Sequence, residues 1–200
     1  MSVSTKEKIL NSAIKIFIEK GFSDTKMRDI ADKAGINKGL LHYYFKSKKA
    51  LFTEVIKTSA QDFFPKLDRI LRSDKNFFEK IELVVDEYIE MLLKNPHFPP
   101  FIINELNHNA DIFIDTLLDA VSIPDRAFVF SMILDEISKG TIKPVNPLHL
   151  ILDTLSLIIF PFLARPALNK ISEMNDEQFY DIMRLRKRTI VDTLINNIKL

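Results

Sequence analysis

The stretch TKMRDIADKAGINKGLLHYYF, residues 25 to 45, sets two short runs of helical spacing on either side of Gly35. Met27, Ile30, Ala31 and Ala34 recur at i, i+3, i+4 and i+7, with Thr25 at the expected N-cap and Gly35 ending the run. Ile36 comes next as an apolar anchor, and Asn37 is a good N-cap for a further helix from Lys38. Helix, glycine turn, helix is a helix-turn-helix arrangement. Upstream, Ile9, Leu10, Ala13, Ile14 and Phe17 in TKEKILNSAIKIFIEKG predict one more helix, closed by Gly21 as a left-handed C-terminal cap.

Glycine, proline and charge all divide the chain near the same place. Three of the four glycines (Gly21, Gly35, Gly39) lie in the first 40 residues, and all nine prolines lie at or beyond Pro65. Residues 1–50 hold 11 Lys/Arg against 5 Asp/Glu, a surplus of +6; residues 51–200 hold 17 against 22, or −5, which together make the net +1. A basic first quarter on an acidic body predicts an anionic partner for the N-terminal part. Beyond residue 48 the spacing predicts helices over 48–72, 76–94, 99–109, 111–122, 124–139, 147–163 and 176–198, broken at KNPHFPPF, SIPD, KGTIKPVNP and ARPALN. No strand alternation and no internal repeat are found, so the fold class is all-α.

At 200 residues the chain is long enough to bury a sizeable core. It contains no cysteine, which excludes disulfides, thiolate metal sites and cysteine catalysis. The opening MSVSTKEKIL holds no apolar targeting segment and predicts a cytoplasmic protein. The most apolar run, LHLILDTLSLIIFPFLA, is interrupted by Asp153 and Pro161 and falls short of the ~20 residues of a membrane span. It is read as a buried helix.

On a helical wheel Leu41, Tyr44 and Phe45 share the side that faces the preceding helices, while Gly39, Leu40, His42 and Tyr43 share the outward side. A DNA major groove gives that outward side a purpose, because it admits an α-helix whose first residues meet base edges. Gly39 allows close approach, Leu40 can pack on a thymine methyl, and His42 and Tyr43 can hydrogen-bond to base edges or phosphates. Lys38 can reach guanine or phosphate, and Lys26, Arg28, Lys46, Lys48 and Lys49 can hold the sugar-phosphate backbone.

With those residues in place, MRDIADKAGINKGLLHYYFKSKKALF resembles the DNA-binding motif of the TetR family of transcriptional regulators. The likeness runs from about residue 4 to residue 55. Ile30 and Ala31 match the Ile-Ala pair of the family's second helix, and Ala34 to Ile36 match its Ala-Gly-Val/Ile. Lys38 and Gly39 match its Lys-Gly pair, Tyr43 to Phe45 its aromatic run closing in Phe, and Lys48 the lysine that opens its fourth helix. The resemblance implies phosphate contacts at Thr25, Arg28, Tyr44 and Lys48, and a base-reading set of Lys38, Gly39, Leu40, His42 and Tyr43. His42 stands where Tyr is usual and Leu40 where a smaller residue is more frequent, so no relative's operator can be borrowed.

The resemblance further implies a three-helix DNA-binding domain over residues 1–50 and a helical ligand-binding and dimerisation domain over 51–200. It implies a homodimer on a palindromic operator in double-stranded DNA, acting most often as a repressor released by a small molecule. The apolar helices 147–163 and 176–198 suit a four-helix interface between two subunits. The many phenylalanines of the body suit an apolar or aromatic ligand; Phe63, Phe101 and Phe128 are the candidate lining residues, with Asn104 and His108, four apart on one helical face, to orient a polar group. Glu105 and His108 form a single Glu-x-x-His step, and no other histidine supplies the second step that helical di-iron sites require. No metal, cofactor or enzymatic machinery is expected, and the run RLRKR at 184–188 is read as a solvated helix face.

Overall fold

The computed structural model describes residues 4–200. Among them eleven helices succeed one another in order: α1 (Thr5–Asp24), α2 (Met27–Ala34), α3 (Lys38–Tyr44), α4 (Lys48–Ala60), α5 (Phe63–Arg72), α6 (Phe77–Lys94), α7 (Phe98–Ala120), α8 (Arg126–Ser138), α9 (Pro147–Leu163), α10 (Arg165–Ile171) and α11 (Asp176–Ile198). Apart from one isolated bridge between Ile142 and Lys199, the described residues form no β-structure, in agreement with an all-α chain.

Several boundaries differ from the sequence expectation for local reasons. The helix expected over 48–72 is two, because Pro65 lacks the N–H that a continuous helix would need at Gln61. The helices expected over 99–109 and 111–122 are the two halves of α7, which meet at a kink where Asn109 leaves helical geometry (φ −146°, ψ 42°). Helix α10 runs through ARPALN, where a break is expected; Pro166 stands in its first turn, where proline starts a helix rather than ends one. Gly21 has the positive φ of a cap (74°), but its ψ of 168° lies outside the left-handed region, and one further turn succeeds it.

The chain divides into two compact units. One comprises residues 1–62 and 97–122; the other comprises residues 63–96 and 123–200. The first takes in α4 and α7 beside the residues assigned to DNA binding from sequence. Its centre is a set of phenylalanine rings from three helices: Phe17 of α1 lies edge-on to Phe52 of α4 at 5.1 Å, and Phe101 of α7 lies 5.6 Å from Phe52 and 6.0 Å from Phe113. Each such pair contributes about 0.5–1.5 kcal/mol beyond the area it buries. Ile9, Ala13, Ile30, Leu41 and Val55 are buried in the same unit, where α1 packs on α2, α4 and α7, α4 packs on α7, and α3 packs on α2.

In the second unit α11 packs against α6 and α9, and α5 lies on α6. Val85, Ile89, Ile158, Phe179, Ile190 and Leu194 form its core. Lys187 of α11 reaches Glu90 at 2.9 Å and Asp86 at 3.4 Å on α6. Burial works against its charge, yet the two carboxylates hold its ammonium above the usual lysine range. Asn76 and Asn175 begin α6 and α11 with reciprocal capping boxes, each N-cap contributing about 1 kcal/mol. Among the described residues no single helix is long and apolar enough to cross a membrane; only α9 and α10 together, bent by 63°, have that length and composition.

Candidate nucleic-acid interface

The geometry of α2, α3 and their turn is fixed by backbone chemistry. Lys26 is the N-cap of α2, and its N–H donates to Asp29 at 3.4 Å; Lys20 donates to the same carboxylate at 2.8 Å and holds it below the usual range. Gly35 adopts the left-handed conformation (φ 65°, ψ 36°) that only glycine takes without strain, and Ile36 N–H closes on the Ala31 carbonyl at 3.1 Å. Asn37 then caps α3, its side chain accepting the Leu40 N–H at 2.8 Å. A Cβ at position 39 would stand 3.3 Å from that capping oxygen, so Gly39 leaves the cap room as well as baring the helix start.

On α3, Leu41 and the adjoining Phe45 are buried, and Lys38, Gly39, Leu40, His42 and Tyr43 are exposed, Tyr43 at 73%. Tyr44 differs from the wheel: it is 40% exposed and stands edge-on to Tyr43 with ring centroids 5.5 Å apart. As the last residue of a seven-residue helix it escapes the cover that Leu41 receives. Arg28 projects from α2 into solvent, its Nε 3.7 Å from Asp32. An ion pair this exposed and this long leaves the guanidinium available to another anion.

Thr25 is placed differently from expectation, and Lys48, which opens α4 as expected, is held by backbone carbonyls. Thr25 is not an N-cap; it is 2% exposed, and its hydroxyl donates to the Gly21 carbonyl four residues back at 2.6 Å. Lys48, at the first turn of α4, is half-buried and donates to the carbonyls of Phe22 (2.6 Å) and Ser23 (2.9 Å), with its ammonium 4.5 Å over the Phe22 ring. One of its three N–H groups remains.

The five candidate ligand residues are spread over both units. Phe101 is packed among Phe17, Phe52, Phe98 and Phe113. Asn104 donates to the Phe17 carbonyl at 3.4 Å, and an imidazole nitrogen of His108 lies 2.8 Å from the Asn104 carbonyl. In the second unit Phe63 packs on Phe64 and Tyr88, and Phe128 lies beneath the Arg72 guanidinium at 4.2 Å. That unit also carries an apolar groove of about 510 Å³ lined by Leu155, Leu157, Ile159, Phe160, Leu163 and Arg186. Phe160 is 64% and Leu185 77% exposed beside it, and Arg186 Nε is buried with no hydrogen-bond partner. Among the described residues no group of three or more His, Asp or Glu side chains is placed to hold a metal ion.

Glu105 is the residue whose place sequence reasoning misses. It is fully buried, accepting the Phe22 N–H at 2.8 Å and the Asn109 amide at 3.1 Å. A signal is present: Phe98, Phe101, Glu105 and Phe113 fall on one helical stripe, and a carboxylate within an apolar stripe is a buried carboxylate.

Residues 9–55 match the family described as bacterial regulatory proteins, tetR family. The HTH-type transcriptional regulator RutR of Escherichia coli O157:H7 is 32% identical over 158 residues, spanning 75% of this chain and 70% of RutR. The biofilm operon icaADBC HTH-type negative transcriptional regulator IcaR of Staphylococcus aureus (strain Newman) is 31% identical over 106 residues, 47% of this chain and 55% of IcaR. In fold, the chain is similar to the transcriptional regulator FadR of Bacillus subtilis, solved in complex with stearoyl-CoA: TM-score 0.64, 17% identity, 94% of this chain and 96% of FadR.

Proposed function

The chain belongs to the TetR family of transcriptional regulators, and from that membership we propose that it is a homodimeric repressor whose hold on a palindromic operator is controlled by an apolar or aromatic small molecule. The observation that carries the proposal is the bared face of α3, with Lys38, Gly39, Leu40, His42 and Tyr43 outward on a helix fixed by the Gly35 turn and the Asn37 cap. These five read base edges; Arg28, Tyr44 and Lys48 hold phosphates, and Thr25 serves from within by fastening the end of α1 that Lys48 grips. Residues 1–50 are the DNA-binding domain and 51–200 the ligand-binding and dimerisation domain of a cytoplasmic protein.

Dimerisation through α9 and α11 is supported by the exposed Phe160 and Leu185 and by the unpartnered Nε of Arg186, which a second copy can satisfy. Repression is supported by the name of IcaR, a negative regulator. An apolar ligand is supported by the capture of FadR with stearoyl-CoA; Phe63, Phe101, Phe128, Asn104 and His108 are the residues proposed to meet it. Release is then a population shift, in which a ligand favouring the DNA-incompetent conformation lowers DNA affinity by the coupling free energy. The relatives named are regulators, and no catalytic role is proposed.

The test is selection of bound DNA from a random duplex library by the purified protein. A consensus of two inverted half-sites, with centres about 34–36 Å apart or a multiple of it, is the expected result. Recovery of sequences with no common motif, at affinities equal to random DNA, overturns the proposal.

A further inference from the structure

Within the first compact unit, Phe22 is held at both of its backbone polar groups. Its N–H donates to Oε1 of Glu105 on α7 (2.8 Å), and its carbonyl accepts from Nζ of Lys48 on α4 (2.6 Å). Its ring lies under the same ammonium and 4.6 Å from the Phe52 ring, so backbone and side chain are both fastened. The second oxygen of Glu105 takes the Asn109 amide at the bend of α7, and Asn109 in turn accepts from the Ser23 hydroxyl. Hydrogen bonds thus run unbroken from the bend of α7 to the Lys48 ammonium.

We propose that Glu105 is a positioning residue for DNA binding: by fixing Phe22 it holds the Lys48 ammonium with two N–H groups on the Phe22 and Ser23 carbonyls and the third directed at one phosphate of the duplex. The inference rests on Lys48 being a phosphate contact. Burial normally drives a carboxylate toward its neutral form, and burial does raise this one above its ordinary range. Its neighbours, the Phe22 N–H, the Asn109 amide and the charges of His108 and Lys48, act in the opposite sense. The cost of burying an acid here is matched to a specific duty. A lysine held in this way loses less rotamer freedom on meeting a phosphate than a free surface lysine does. Without the Glu105 acceptor the half-buried Phe22 N–H loses its partner, and the segment from Gly21 to Asp24 must shift to satisfy it. The two carbonyls that bracket Lys48 belong to that segment.

The experiment measures binding to a mixed-sequence DNA duplex as a function of salt. It uses the full chain and the variants Lys48→Ala, Glu105→Leu, Glu105→Gln and the double variant Lys48→Ala/Glu105→Leu, with folding checked by circular dichroism. Lys48→Ala and Glu105→Leu are each expected to weaken binding severalfold and to lower the slope of log K against log salt by about 0.9, the contribution of one phosphate. The double variant is expected to bind no more weakly than Lys48→Ala. Glu105→Gln, which still accepts from Phe22, restores most of the affinity. Should the Leu variant not fold, Glu105→Asp withdraws the carboxylate by one methylene while keeping its charge, and the same non-additivity with Lys48→Ala is expected. If Lys48→Ala leaves affinity and slope unchanged, the phosphate role of Lys48 fails, and the positioning role falls with it. If Lys48→Ala lowers both while the Glu105 variants lower neither, or the two losses multiply, Glu105 is not a positioning residue although Lys48 still meets a phosphate.

Discussion

The Asn104 side-chain nitrogen lies 3.3 Å from the place a Cβ on Gly21 would occupy, and the same glycine has φ +74°. Position 21 is therefore restricted twice, by backbone conformation and by a neighbour on α7. Gly21→Ala is expected to destabilise the protein by about 1–2 kcal/mol, and so to lower Tm by several degrees in a chain of this size. An unchanged melting curve would show that neither restriction matters.

Tyr43 and Arg28 are both exposed but are assigned different duties. Tyr43→Ala should weaken binding to the selected operator by about 1–3 kcal/mol and leave binding to random DNA nearly as it was. Arg28→Ala should weaken both by a similar factor and reduce the salt slope by about one contact. Titrations against both DNAs at two or more salt concentrations check the pair; identical behaviour of the two variants would sink the assignment.

Leu185 is 77% exposed on α11 within an apolar face. Leu185→Glu places a charge where a second subunit is proposed to pack, and a buried unpaired charge costs several kcal/mol. The variant should sediment as a monomer at micromolar concentration, where the unmodified chain sediments as a dimer. Equal sedimentation of both as dimers would move the interface elsewhere.

The buried carboxylate of Glu105 makes stability depend on pH in a definite sense. Its pKa is raised on folding above the ordinary 4.5, chiefly by burial, so the folded chain holds this proton more tightly than the unfolded chain does. The contribution is therefore fully present below about 4.5 and is lost as pH rises through the raised folded value. Denaturant unfolding across that range should give a wild-type stability that falls relative to Glu105→Gln as pH increases. A constant difference between the two would mean that the acid is not perturbed.

The legible part of the fold is that governed by local chemistry. Gly35, Asn37, Leu41 and Phe45 act over one or two turns, and their positions can be read from spacing alone. Tyr44 departs from its expected side because a wheel assumes a helix long enough to be covered, and α3 ends there. Thr25 departs because a hydroxyl serves equally as an N-cap or as a donor to a carbonyl four residues earlier. The grip of Glu105 on Phe22 spans 83 residues, and no local pattern encodes its partner. Only its intrusion into an apolar stripe marks it as buried.

The phenylalanine centre around Phe17 and Phe52 is completed by Phe101 and Phe113, which the chain supplies only after an excursion of 34 residues, from 63 to 96. The head of this regulator is consequently no portable cassette. A segment ending at residue 62 and spliced onto another body would carry bare aromatic rings and an orphaned Phe22 amide unless the recipient offered matching groups at the places of Phe101, Glu105 and Phe113. Exchange of this head between such regulators is thereby confined to recipients whose seventh helix already fits.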